Sequence, residues 1–159
     1  MAYVDTARQT WRQIRHDADD SNNGETEFNQ MTDVQCSWIK ASADSASNGA
    51  TTNKAICRVP YTSRVISAHW VQETTSTNNA TSFATLTLNK SNGTTATMTA
   101  VGSFTTSASA ITAYVPRAMT LTASAVQVSS GGVLHINIGK TSAGKKVKAG
   151  VLTVVLRRV

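Results

Sequence analysis

The closing run AVQVSSGGVLHINIGKTSAGKKVKAGVLTVVLRRV, Ala125 to Val159, alternates apolar and polar residues at period two. Val126 and Val128, then Leu134, Ile136 and Ile138, then Leu152, Val154 and Leu156 each fall on one side of an extended chain, because successive side chains of a strand point to opposite faces. Gly131-Gly132 and the stretch from Gly139 to Gly150 interrupt the alternation, so the run is expected to fold as strand, turn, strand, loop, strand, with a hairpin at the glycine pair. The loop holds Lys140, Lys145, Lys146 and Lys148 and no acid. Chemistry that needs a carboxylate cannot be assembled there.

Working outward, the same pattern recurs at intervals of about ten residues. Val34 to Lys40 alternates with Val34, Cys36 and Trp38 on one face; Lys54 to Val59 ends before Pro60, which cannot donate to a ladder. Arg64 to Gln72 is apolar on both faces and reads as a central strand. Phe83 to Leu88 and Thr95 to Val101 flank Asn92-Gly93, a hairpin signal. Ile111 to Val115 and Met119 to Val128 complete a count of eight or nine short strands. Ala41 to Asn53, Glu73 to Asn79 and Gly102 to Ala110 read as Ser/Thr/Asn-rich loops. The expected fold is all-β: a two-sheet antiparallel β-sandwich over residues 34–159.

Residues 1–33 are different. Ala7, Trp11 and Ile14 share helical spacing behind Asp5 or Thr6 as a cap, which predicts a short helix. His16 to Thr32 is acidic and poor in apolar residues, so this segment reads as an extended N-terminal arm. Trp11, Ile14 and Arg15 are its candidate partner-binding residues.

The 159 residues carry a net charge of +6, unevenly spread. Met1 to Asp33 has three arginines against seven acids, Val34 to Glu73 four bases against two acids, and Thr74 to Val159 eight bases and no acid. A body of this kind is attracted to anionic surfaces. Cys36 and Cys57 are too few for a disulfide scaffold, and their apolar-alternating surroundings favour two buried thiols over a bridge. The chain opens without a secretory pattern and holds no apolar run of the roughly 20 residues a membrane span needs, so synthesis in a cytoplasm and no membrane partner are expected. The sequons at Asn79 and Asn92 read as chance in an Asn/Thr-rich chain.

Catalytic patterns fail one by one. His69 and His135 could act as bases, yet Asp44 and Glu73 are the body's only acids, too few for a Ser-His-acid or two-carboxylate site. Cys36, Cys57, His69 and His135 match no zinc spacing, and Asp17 to Asp20 lacks the ligand spacing of a calcium loop. Gly139-Lys140-Thr141 is similar to the end of a phosphate-binding loop, but Leu134 stands where its first glycine belongs. Lys140, Lys145, Lys146, Lys148, Arg157 and Arg158 form a conceivable phosphate footprint; the absence of interleaved aromatics argues against nucleic acid. No enzyme activity, metal or cofactor is expected.

Val59-Pro60-Tyr61 with Arg64-Val65-Ile66, the strand Ala84 to Leu88, Val126-Gln127-Val128, the run Gly131 to Ile136 and the closing Gly150 to Leu156 together resemble the β-sandwich decoration, or cement, proteins of tailed-bacteriophage heads. The resemblance covers about Lys54 to Val159. It implies a jelly-roll-like domain on the capsid exterior of a virion, a small homo-oligomer (dimer or trimer) at symmetry axes, clamping neighbouring copies of the major capsid protein. Lys140, Lys145, Lys146 and Lys148 join the arm residues as candidate contacts with an acidic shell. The alternative is a carbohydrate- or receptor-binding domain of a tail or head fibre. Such domains usually show exposed aromatics; Tyr61 and Tyr114, each near a proline, are expected to be packed.

Overall fold

The computed structural model describes residues 33–41, 52–141 and 147–159. The arm helix with Trp11, Ile14 and Arg15, and the loop residues Lys145 and Lys146, lie outside them.

The described chain is all-β, with strands β1 (Asp33–Lys40), β2 (Thr52–Arg58), β3 (Ser63–Gln72), β4 (Ala84–Ser91), β5 (Thr99–Thr105), β6 (Arg117–Ala118), β7 (Thr120–Leu121), β8 (Gln127–Val128), β9 (Val133–Lys140) and β10 (Gly150–Arg158). Two sheets form. One, the β3 sheet, has the order β1-β10-β3-β6 with β8 also on β3; the other, the β4 sheet, has the order β2-β9-β4-β5-β7.

The pairs are nested: β4 with β5, β3 with β6 and β8, β2 with β9, β1 with β10. A long hairpin whose two arms pair throughout, then rolled so that β10 meets β3 and β9 meets β4, produces this order. That is the jelly-roll topology, and it bears out the expected sandwich.

Alternation supplies the core. Leu86, Leu88, Leu134, Ile136 and Ile138 from the β4 sheet meet Trp70, Leu152, Val154 and Leu156 from the β3 sheet, and all are almost completely buried. Trp38 tilts against Trp70 with ring centroids 6.3 Å apart. The one fully buried side-chain amide among the described residues, Gln72, accepts from Trp70 Nε1 at 3.4 Å and donates to Thr74 O at 2.6 Å and Ser76 Oγ at 2.7 Å. Its polar atoms are thus matched, as burial demands.

The structure corrects several sequence expectations. Gly131-Gly132 does not close a hairpin: β8 pairs with β3 and β9 with β2 and β4, so the turn carries the chain from one sheet to the other. Period-two alternation specifies a buried face but not which strand lies alongside. Gly131 adopts φ +79, and Gly93 (φ +80) sits so close to it that a Cβ at 93 would collide with the Gly131 carbonyl. The two turns signalled by glycine therefore pack on each other. The β4-β5 hairpin stands, but β5 runs from Thr99 to Thr105 rather than Thr95 to Val101.

The single strand expected over Met119 to Val128 is instead a sheet switch. Met119 N donates to Ala68 O, Thr120 and Leu121 cross to pair with Ser103 and Gly102 of β5, and Val65 N then donates back to Val126 O. Gly102 permits the crossing, since a Cβ there would lie 2.8 Å from Leu121 Cδ2. The strand expected at Ile111 to Val115 is an isolated bridge, Ser76 with Ile111, followed by a turn in which Tyr114 takes φ 60.

Cys36 and Cys57 form a disulfide, Cα to Cα 6.2 Å, and the expectation of two thiols is corrected. Both cysteines do face inward, as alternation predicted. What the sequence does not reveal is that β1 and β2 are edge strands of opposite sheets, so their inward side chains confront each other. One side of the sandwich is thereby closed by a covalent bridge and the other by the backbone crossing of residues 117–128.

Candidate interaction surface

The outward positions of the two sheets differ in chemistry. On the β3 sheet, the burial pattern of β10 turns Val151, Thr153, Val155 and Arg157 outward. The pattern of β3 slips phase at Ile66-Ser67, which places Arg64, Ile66, His69 and Val71 on the same side. This slip resolves which of the two apolar faces of that strand is inward: Val65 before it, Ala68 and Trp70 after it. Edge strand β1 adds Ile39, 70% exposed.

Val159 N donates to Thr62 O and Glu73 N to Ala149 O, so β3 and β10 run antiparallel with their ends matched. Val71 therefore lies beside Val151 at one end of the sheet, and Arg64 beside Arg157 at the other. Beyond Val71 the row continues to the exposed Tyr114-Val115-Pro116 turn, anchored by Tyr114 N donating to Gln72 O at 2.9 Å. The result is an apolar face with a basic end, bordered by tyrosine. Tyr61, at 54% exposure, and Tyr114, at 75%, are open to solvent, which corrects the expectation that both pack.

A non-glycine residue at positive φ carries strain that the surrounding structure must hold. At Tyr114 that conformation turns a large aromatic ring outward.

The β4 sheet presents polar groups instead. Cross-strand pairs Thr85 with Thr105 and Thr87 with Ser103 face outward, and Asn137 Nδ2 donates to Asn53 Oδ1 at 2.6 Å. Ser91 Oγ meets His135 Nε2 at 3.0 Å. The sequon asparagines have a local structural role: Asn79 Oδ1 accepts from Thr81 and Ser82, and Asn92 Oδ1 from Thr94 and Thr95, each closing a turn.

Among the basic residues flagged by sequence, Lys140 closes β9 and Lys148 stands two residues before β10, so these two share one end of the sandwich. Arg157 and Arg158 close the far end of β10, and a nine-residue strand at about 3.3 Å per residue puts them roughly 26 Å away. The four described bases of that set therefore do not form one phosphate footprint. Arg64, which no motif singled out, joins Arg157 instead; the only available signal was its place at the start of a strand. Among the described residues no group of three or more His, Cys, Asp or Glu is placed to hold a metal ion.

Nested pairing and an apolar inter-sheet core place the described chain in the jelly-roll class of β-sandwiches. No family model and no curated protein matches the chain. Among solved structures it is similar to a chain in the structure of infectious bursal disease virus Gx strain, with TM-score 0.37 and 13% identity over 77% of this chain. The match spans 32% of the viral chain, about a third of its length.

Proposed function

We propose that this protein is a structural component of a virion that binds the outside of a phage-type capsid and stabilises it by clamping neighbouring major capsid subunits. The observation that carries this reading is the outward face of the β3 sheet. Sheet faces of soluble antiparallel proteins usually turn polar groups to water, whereas Ile39, Ile66, Val71, Val151 and Val155 stand outward here. Contiguous apolar surface of this kind is characteristic of a docking site.

Its basic end suits an acidic shell exterior, and the resemblance to cement proteins points to the same partner. In this reading the arm residues Trp11, Ile14 and Arg15 and the lysine loop supply secondary contacts, and the protein acts as a small oligomer at symmetry axes. Each copy buries an interface that exists only in the assembled shell, so binding stabilises the shell by mass action.

The test is co-sedimentation of the purified protein with undecorated heads, beside naked DNA and cell-surface polysaccharide. Saturable binding to heads at a fixed ratio to capsid subunits is the expected result; binding to DNA or polysaccharide alone overturns it.

A further inference from the structure

We propose that the margin of the sandwich at β5 and β7 is a binding site for an acidic sugar, a pyranose bearing a carboxylate. An open groove of about 510 Å³ runs there, lined among others by Phe83, Thr85, Ser103, Thr105, Arg117 and Thr120. Its volume lies within the range of small-molecule sites.

The lining is built by the fold's least regular feature. Arg117 pairs with the buried Trp70 across β6 and β3, and cross-strand partners share a face, so its side chain leaves the β3 sheet toward the β4 sheet. The sheet switch at Thr120-Leu121 then sets Thr120 beside Ser103, and Ser103 lies opposite Thr87 on β4. One row away, Thr105 lies opposite Thr85. Strands stand about 4.8 Å apart, so the groove holds a grid of hydroxyls at close, fixed spacing.

Apart from Thr105, whose Oγ1 donates to Ser107 Oγ and accepts from Ser107 N, both at 3.3 Å, these groups have no other occupation. Among the described residues, Arg117, Thr85, Ser103 and Thr120 make no side-chain hydrogen bond or ion pair. Among the described residues no carboxylate lines the groove to neutralise Arg117. A guanidinium offers a planar fork that matches a carboxylate with two parallel hydrogen bonds. Serine and threonine hydroxyls both donate and accept, as sugar hydroxyls do. The half-buried Phe83 supplies an apolar wall for the C–H face of a ring. A bare inorganic anion, which can take the arginine and hydroxyl donors, leaves the Phe83 wall unused, and a neutral sugar cannot form the carboxylate fork with the arginine. A sugar acid uses both.

Amide chemical-shift titration of the full-length ¹⁵N-labelled chain with D-glucuronate, D-glucose and sulfate tests this without capsids, so its outcome is separate from that of shell binding. Glucuronate is expected to produce saturable shifts at Ser103, Thr105 and Thr120. Glucose, which replaces the carboxylate by a hydroxymethyl group, should bind about tenfold more weakly, the loss expected for one charge-assisted contact. Arg117→Gln should erase the difference between the two sugars, while the exposed Thr120→Val should weaken both and serves if the first variant fails to fold. Equal affinity for the two sugars in the wild type, sulfate competing as well as glucuronate, shifts mapping elsewhere, or no saturable shift would each overturn the site.

Discussion

The two outward faces of this sandwich arise from the same rule and diverge in what they do with it. Inside, both sheets offer leucine, isoleucine and valine at alternate positions. Outside, the β4 sheet fills the intervening positions with Thr85, Thr87, Ser103, Thr105 and Asn137, and the β3 sheet with Ile66, Val71, Val151 and Val155. Hydroxyls suit a pleated surface that stays wet. Valine and isoleucine gain nothing from facing water, since each buried apolar side chain is worth about 1.5–3 kcal/mol relative to exposure. On the proposed reading, the capsid meets the β3 face and not the β4 face.

A charge on each face breaks or confirms that assignment most sharply. Val155→Asp should lower binding to undecorated heads by about two to three orders of magnitude, because an unpaired carboxylate held in a closed interface costs about 3–5 kcal/mol. Thr87→Asp, the matching change at an outward, half-buried position of the β4 sheet, should alter it by less than about threefold, as surface substitutions usually move free energies by under about 0.5 kcal/mol. Co-sedimentation isotherms measure both, with near-ultraviolet circular dichroism to show that each variant is folded. If Thr87→Asp releases the protein and Val155→Asp does not, the faces have been assigned the wrong way round.

The next effect concerns what keeps the faces apart at a fixed spacing. Cys36 and Cys57 join edge strands of opposite sheets across a sequence separation of 21 residues. Closing a loop of that size in the unfolded chain is worth about 3 kcal/mol. The double variant Cys36→Ser with Cys57→Ser should therefore lose about that much stability in urea unfolding. Amide exchange should localise the loss: β1 and β2 open first, while β3, β4 and β9 keep their protection because they lie inside their sheets. Uniform loss of protection across all strands would mean that the bridge stabilises the whole sandwich and not its edge.

These expectations also mark where the sequence was legible. The cores of β1, β3, β4, β9 and β10 can be read directly, because a half-buried strand must alternate and Leu134-Ile136-Ile138 does so without ambiguity. Partners cannot be read: Gly131-Gly132 looks the same in a hairpin as in a turn between sheets. Met119 to Val128 reads as one strand in sequence, yet hydrogen bonding divides residues 117–128 among three strands and two sheets. The face that carries the proposed function was hidden for a related reason. Ile66 and Val71 sit on opposite parities of one strand, and only the phase slip at Ile66-Ser67 brings them to the same side. The cysteines illustrate the limit most directly, since an inward position was legible at each and their meeting depended on the topology.

The smallest expected effect tests the basic end of the apolar face. Arg64 makes no side-chain hydrogen bond or ion pair among the described residues and is exposed, so its charge acts on a partner mainly through its field. Charges at an interface rim change association rates and salt dependence more than dissociation. Arg64→Glu should slow association with heads by roughly three- to tenfold at low ionic strength and by much less near 0.5 M salt, where the screening length falls to about 4 Å. Dissociation should be nearly unchanged, and stopped-flow light scattering separates the two rates. A variant that instead dissociates faster at every salt concentration would place Arg64 in a desolvated pair at the centre of the contact. The docking face would then extend over its basic end as well as its apolar one.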